Sequence, residues 1–181
     1  MPLFDVVITH LELSRDGFQP KYSADPGVSF SHVTPVVPEL NRFFYATIGG
    51  QWFWLDRRPW TLAEWESHLA DQDRIETWIL SVRGVPAGYA ELERRGDGVV
   101  EIVYLGLLRQ FIGVGLGAHL LSHACARAFD MGAGIVQLNT CNLDHPKALA
   151  NYQARGFKPV RTEVKRKEIP ASAPGPWDGA V

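Results

Sequence analysis

The chain has 181 residues, 46% of them apolar and 21% charged, with a net charge of −2. That length allows one domain with a sizeable core, and a charge so near zero excludes a field that would draw the whole molecule to nucleic acid or an anionic membrane. Cys125 and Cys141 lack CxxC spacing and fit a reducing, cytoplasmic setting better than a disulfide scaffold, the first residues carry no basic segment before a long apolar run, and no stretch approaches the roughly 18 apolar residues of a membrane span.

Residues 4–13 partly alternate apolar and polar and read as a first strand. Residues 14–35 are rich in Ser, Pro, Gly and Asp and read as a long loop. Residues 38–48 fit a helix, with Leu40, Phe43, Phe44 and Thr47 near one face and Gly49-Gly50 as the stop. Thr61-Leu62-Ala63-Glu64 is a capping box that opens a second helix, to about residue 70. Residues 75–82 and 87–93 are strands joined through Gly84-Val85-Pro86, and Gly96-Asp97-Gly98 turns the chain into the strand that carries Glu101. A glycine run at 113–117, a helix over 118–130, a strand over 134–140, a helix within 145–157 and a last strand over 157–165 follow. One domain is expected over 1–169. Residues 170–181, PASAPGPWDGAV, are a Pro/Gly/Ala-rich extension, expected to be loosely ordered or to meet a partner.

The run Gln110-Phe111-Ile112-Gly113-Val114-Gly115-Leu116-Gly117 lies between an apolar strand and an Ala/Leu-rich helix. Glycines let main-chain N–H groups approach an anion, and the helix start adds the positive end of its dipole. A phosphate-bearing ligand is therefore expected on the amides of 112–117. Gly117-Ala118-His119 lacks the lysine of a Walker loop, and G-x-G-x-G is not the G-x-G-x-x-G of a dinucleotide fingerprint. The other reading of the run is a tight strand-to-helix turn.

Q-x-x-G-x-G on Gln110 to Gly115 resembles the acyl-CoA pyrophosphate loop of the GCN5-related N-acetyltransferase (GNAT) superfamily. EIVYLGLL at 101–108 resembles that family's fourth strand and GIVQLNT at 134–140 its fifth. HPKALANYQARGF at 145–157 resembles its A-x-x-x-Tyr-x-x-x-Gly-Phe helix ending, on Ala148, Tyr152, Gly156 and Phe157. The likeness runs over residues 75–165. It implies an α/β fold: a mixed, mostly antiparallel sheet of six to seven strands, helices on both faces, and a splayed strand pair that admits CoA.

The resemblance implies an N-acetyltransferase that moves an acetyl group from acetyl-CoA to a primary amine, of a small molecule or a protein, in a ternary complex. The alternatives are a non-catalytic CoA-binding module and an acyltransferase with another acyl-CoA. It implies a CoA site built from Leu105, Gly106, Leu107, Gln110, Phe111, Ile112, Gly113, Val114, Gly115, Leu116 and Gly117, with the Leu105 N–H on the thioester carbonyl. Members are often homodimers. Glu101 falls where several members carry a catalytic glutamate; if Asp97-Gly98 is a two-residue turn, Arg94 lies opposite and the pair is instead a cross-strand ion pair. Glu91 and Glu93 are the reserve bases, with a solvated strand face as their other reading. Tyr152 matches the tyrosine near the CoA sulfur and is the candidate acid. His145 stands where the family often has Asn; it is expected as a structural residue or as a contact to CoA or acceptor. Asn142 is the candidate replacement for that contact, and Asp144-His145-Pro146 also makes a good helix start.

His119 and His123 are spaced i,i+4 but lack a third ligand, so no metal is expected. They are expected near CoA or on a solvated face. Phe43, Phe44, Tyr45, Trp52, Phe53, Trp54 and Trp60 are expected in the core or around an acceptor pocket, and Arg57-Arg58 in a solvated loop or against an acidic acceptor. Cys125 is mid-helix and Cys141 lacks an evident base, so no acyl-enzyme is expected.

Overall fold

Alternating segments separated by tight turns assemble here into a seven-stranded sheet. The computed structural model describes residues 2–177 and 179–180. Its strands are β1 (Leu3–Ser14), β2 (Val28–His32), β3 (Ile75–Val82), β4 (Val85–Gly96), β5 (Val99–Leu107), β6 (Ile135–Cys141) and β7 (Lys158–Glu168). Its helices are α1 (Pro38–Gly49), α2 (Leu62–Leu69), α3 (Leu116–Asp130) and α4 (Ala148–Ala154). The sheet order is β2-β3-β4-β5-β6-β1-β7. All neighbours are antiparallel except β5 and β6. This is the mixed α/β fold that the sequence implied.

Two-residue turns join β3 to β4 and β4 to β5. Arg83-Gly84 and Asp97-Gly98 both hold positive φ, 50° and 82° in the first and 50° and 73° in the second. That geometry matches the twist of the flanking strands. The capping box of α2 forms as its sequence predicts: the Glu64 N–H donates to Thr61 Oγ1, and the Glu64 carboxylate accepts from the Thr61 N–H.

Alternation along β4 and β5 divides the sheet into two faces. Ala90, Leu92, Val100 and Ile102 point to α3 and share its core with Leu120, Leu121, Ala124 and Phe129. Tyr89 and Tyr104 point the other way, to α1, where Phe44 and Ile48 cover them. Trp65 and Leu69 of α2 extend that second layer with Tyr45 and Ile75. Among the described residues no helix is long and apolar enough to cross a membrane.

Residues 14–35 are more than a loop. They hold a short 3-10 turn at Arg15–Gly17 and the strand β2, which pairs with β3. Val28 and Phe30 face the α3 core, and Phe30 stacks on Trp78 at 4.9 Å; with only five residues, β2 gives a weak period-2 signal. The segment after β7 also departs from expectation. Ile169 is buried, the Gly175 N–H donates to the Gly50 carbonyl at 3.1 Å, and Arg58 donates to the Gly175 carbonyl at 2.8 Å. Residues 169–175 are thereby fastened against the end of α1.

Candidate active site

β5 and β6 run side by side only where Val99, Val100 and Glu101 face Ile135, Val136 and Gln137. Beyond that point they separate. Val103 is an extra residue on β5, because Tyr104 pairs with Glu91 while Ile102 pairs with Leu92. Such a bulge bends its strand and sharpens the local twist, and it sits where β5 leaves β6. The opening is part of a cleft of about 1070 Å³ lined by Glu101, Leu105, Leu107, Leu138 and Tyr152, among others.

The backbone of β5 offers hydrogen bonds to this opening. The Leu108 N–H donates to the Ala87 carbonyl at 2.8 Å. Antiparallel alternation then directs Gly106 and Tyr104 to β4 and leaves the N–H and C=O of Leu105 and Leu107 on the side of the gap. Gly106 lines the cleft, but its backbone polar groups face β4. Its lack of a side chain serves α1 instead, because a Cβ there would collide with Ile48.

The glycine run forms the mouth of the cleft. Gly113 and Gly115 hold φ of 89° and 87°, and a Cβ at either would meet nothing within 4 Å. Left-handed residues in alternation turn successive N–H groups to one side, an anion-binding concavity. Gly115 caps α3, and Leu116 and Gly117 begin its first turn, where N–H groups have no partner within the helix. Among the described residues, no loop or side-chain hydrogen bond takes up the N–H groups of 113–117. Ile112 and Gly117 line the cleft, Val114 is exposed, and Leu116 is buried. Gln110 and Phe111 lie in the 3-10 turn Arg109–Phe111; Phe111 leans on the α3 core, and Gln110 faces solvent. Three cations that sequence reasoning missed also line the cleft, Lys21, Lys147 and Lys167. The Lys21 N–H donates to Ser122 on α3, and Lys147 precedes α4, whose Asn151 donates to the Gly117 carbonyl.

The acetyltransferase (GNAT) family model matches residues 35–157. The chain belongs to that family. Members of the GNAT family are acyltransferases. No curated protein sequence matches the chain. Similar solved structures include a GCN5-related N-acetyltransferase from Kribbella flavida, with TM-score 0.65, 23% identity and coverage of 96% of this chain and 60% of that one. A GCN5-related N-acetyltransferase from Sphaerobacter thermophilus has TM-score 0.68 and 21% identity over 94% of this chain and 53% of that one. A tandem GNAT protein from the clavulanic acid biosynthesis pathway has TM-score 0.64 and 18% identity over 88% and 52%. At these identities the likeness shows the fold, and this chain spans little more than half the length of each.

The remaining side chains of this GNAT site divide into two groups. Tyr152, His145 and Glu101 line the cleft. Burial, with Asp144 beside it, raises the Tyr152 pKa, and its ring lies 6.2 Å from Phe157. His145 meets Trp52 edge-on at 5.3 Å, and its Nδ1 accepts from the Lys147 N–H. Glu101 is paired with Arg95 at 2.6 Å. Its cross-strand neighbour is Glu93, not Arg94, because the register shifts between Arg94 and Gly96. Asn142 is committed elsewhere: it accepts from the Val7 N–H and donates to the Asp5 carbonyl, fastening β1 to the end of β6.

The second group lies under α1 and α2. Glu91 is fully buried and binds Arg57 at 2.8 Å and His68 at 3.0 Å. Glu93 is buried and pairs with the partly exposed Arg74 and Arg95. The solvated strand face and the solvated Arg57 are both corrected by this network. Burial works against the Arg57 charge, but Glu91 more than compensates and its pKa is raised. The guanidinium lies 4.6 Å over the Tyr104 ring and 4.7 Å over Trp60. Of the early aromatics, Phe44 and Tyr45 are core, Phe43 is exposed, and Trp52, Phe53 and Trp54 line the cleft.

His119 is not on a solvated face. It is buried, and its Nδ1 accepts from the Ser23 N–H at 2.8 Å, which fixes the 18–25 segment over α3. Among the described residues no group of three or more candidate ligands could hold a metal.

Proposed function

We propose that the protein is an acetyl-CoA-dependent N-acetyltransferase acting on a primary amine by direct attack. The observation that supports this reading most is the parting of β5 from β6, with free backbone groups of Leu105 and Leu107 on the gap and unpartnered glycine-loop amides at its mouth. The thioester supplies an acyl carbon activated by its sulfur. The amides of 113–117, with Lys21 and Lys147, suit a pyrophosphate. The Leu105 N–H donates to the carbonyl oxygen in this reading as negative charge gathers on it, which favours the tetrahedral state over the ground state.

The amine nitrogen forms a bond to the carbonyl carbon, the C–S bond breaks, and the amide product and CoA thiol leave. Two protons move. Glu101 takes one from the attacking amine, directly or through water, and Arg95 holds its carboxylate at the cleft wall. Tyr152 gives one to the departing sulfur; burial keeps its phenol protonated and ready to donate. Cys125 and Cys141 are held as thiols by burial, which suits direct transfer without an acyl-enzyme.

Calorimetric titration with acetyl-CoA tests the donor site. Wild type is expected to bind in the micromolar range. Gly115→Glu is expected to bind at least 100-fold more weakly, because it places a side chain at positive φ and a carboxylate against the pyrophosphate position. Absence of wild-type binding at millimolar acetyl-CoA would overturn the transferase reading.

A further inference from the structure

One carboxylate that lines the cleft takes no part in the transfer step. Asp56, in the loop between α1 and α2, lines the cleft. Its Oδ1 accepts from the Tyr45 hydroxyl at 2.8 Å and its Oδ2 from the Tyr104 hydroxyl at 2.6 Å. Tyr45 is itself fixed, because its oxygen accepts from the Arg57 N–H at 2.9 Å. Both carboxylate oxygens are thus positioned, yet Asp56 is exposed and among the described residues it forms no ion pair. The nearest buried cation, Arg57, is already matched to Glu91. The adjoining wall is aromatic. Trp54 lies 4.7 Å from Tyr104, and Phe53 holds a left-handed φ of 55°, a costly conformation for a bulky residue.

A fixed carboxylate at the edge of aromatic rings, open to a cleft, selects a cation with an apolar body. That cation is not the nucleophile. An ammonium paired with a carboxylate is held in its protonated form, and the attacking amine must be neutral. Asp56 also stands at the tip of Tyr104, a full tyrosine side chain away from the β5 backbone where Leu105 faces the gap. We infer that the acceptor carries two basic groups joined by an apolar spacer: one is anchored as a cation on Asp56 beside the packed Trp54 and Tyr104 rings, and the other reaches the β5–β6 opening as the free amine. This rests on the transferase reading and specifies its substrate class as diamines and amines bearing a second cation.

The test is equilibrium binding, so that it does not depend on turnover. The full chain, with and without saturating CoA, is titrated with diaminobutane and diaminohexane and with butylamine and hexylamine, following tryptophan fluorescence and heat. Each chain length gives a diamine and a monoamine of matched spacer. At least one diamine is expected to bind about tenfold or more tightly than its monoamine, the scale of one charge-assisted contact. Asp56→Asn is expected to erase that preference, and Trp54→Leu to weaken both amines of the pair. Equal binding of diamine and monoamine by wild type, or no binding of either diamine at millimolar concentration, overturns the inference without any variant. A preference that survives in a folded Asp56→Asn protein also overturns it. Acetyl-CoA titration of the same samples reports separately on the donor site, so loss of the transferase reading and loss of the diamine anchor are distinguishable.

Discussion

Glu91 shows what one residue contributes when its surroundings are complete. Burial opposes its charge, but hydrogen bonds and charges from His68 and Arg57 win, and its pKa is lowered. Asn41 adds a donor at 3.3 Å. Removing one partner of such a set leaves an uncompensated cation in the interior, so Glu91→Ala is expected to cost about 3–5 kcal/mol in urea unfolding. A loss below about 1 kcal/mol would show that the network contributes little. Tyr152 carries the prediction for chemistry. Tyr152→Phe keeps the ring and loses the proton, so kcat is expected to fall about 100-fold or more while acetyl-CoA affinity stays within a few-fold. Unchanged kcat with weakened binding would remove Tyr152 from the transfer step. The two residues differ in legibility. Tyr152 stands at fixed spacing from Gly156-Phe157, so sequence exposes it. Arg57 finds its partner in Glu91, far along the chain, and a local reading assigns it to solvent.

At the scale of elements, the junctions are the most constrained points. Gly156 follows α4 with φ of 99°, and a Cβ there would overlap the Gly17 carbonyl. The 3-10 turn after β1 and the end of α4 meet at that glycine, and the Gln19 N–H donates to the Arg155 carbonyl beside it. Gly156→Ala adds backbone strain and a backbone collision that no rotamer relieves. A loss of at least about 2 kcal/mol is expected by denaturant unfolding; a smaller loss would mean that the two segments separate easily. Gly113 is the contrasting case. Its φ is also left-handed, but the space around it is open, so substitution there tests the cradle more than the fold. The helix and strand periods of α1, α2, β3 and β5 were legible because each buries one face. β2 was not, because its five residues gain their apolar face from Trp78 on β3 and from α3.

For the whole molecule, the pH dependence of stability follows from what lies over α3. Burial lowers the pKa of His119, with His123 adding to it, and burial lowers that of His123. Tyr22 lies 4.8 Å and Phe30 5.1 Å from the His123 ring, and His119 accepts from Ser23. A histidine held neutral in the fold contributes stability that is full above its unfolded pKa, about 6.5, and is lost as pH falls through the lower folded value. The melting temperature is therefore expected to decline below about pH 6.5, before carboxylates titrate. Glu91, with its lowered pKa, adds a second loss below the unfolded carboxylate value of about 4.3. The double variant His119→Gln, His123→Phe is expected to flatten the first limb in a thermal scan across pH. An unchanged limb would assign it to other groups.

The sequence by itself determined the local features: the turn at Asp97-Gly98, the capping box, the amphipathic helices and a glycine run between strand and helix, while the turn it placed at Gly84-Val85-Pro86 falls instead on Arg83-Gly84. Each follows from short-range sterics or from one repeating period. It also carried enough ordered spacing, from Glu101 to Phe157, to imply the GNAT fold. Tertiary structure decided the rest. It set β1 between β6 and β7, opened β5 from β6 at the Val103 bulge, buried Glu91 with Arg57 and His68, and brought Asp56 to Tyr45 and Tyr104. Those pairings depend on register between distant strands and on which loop crosses which face, and no local period encodes them.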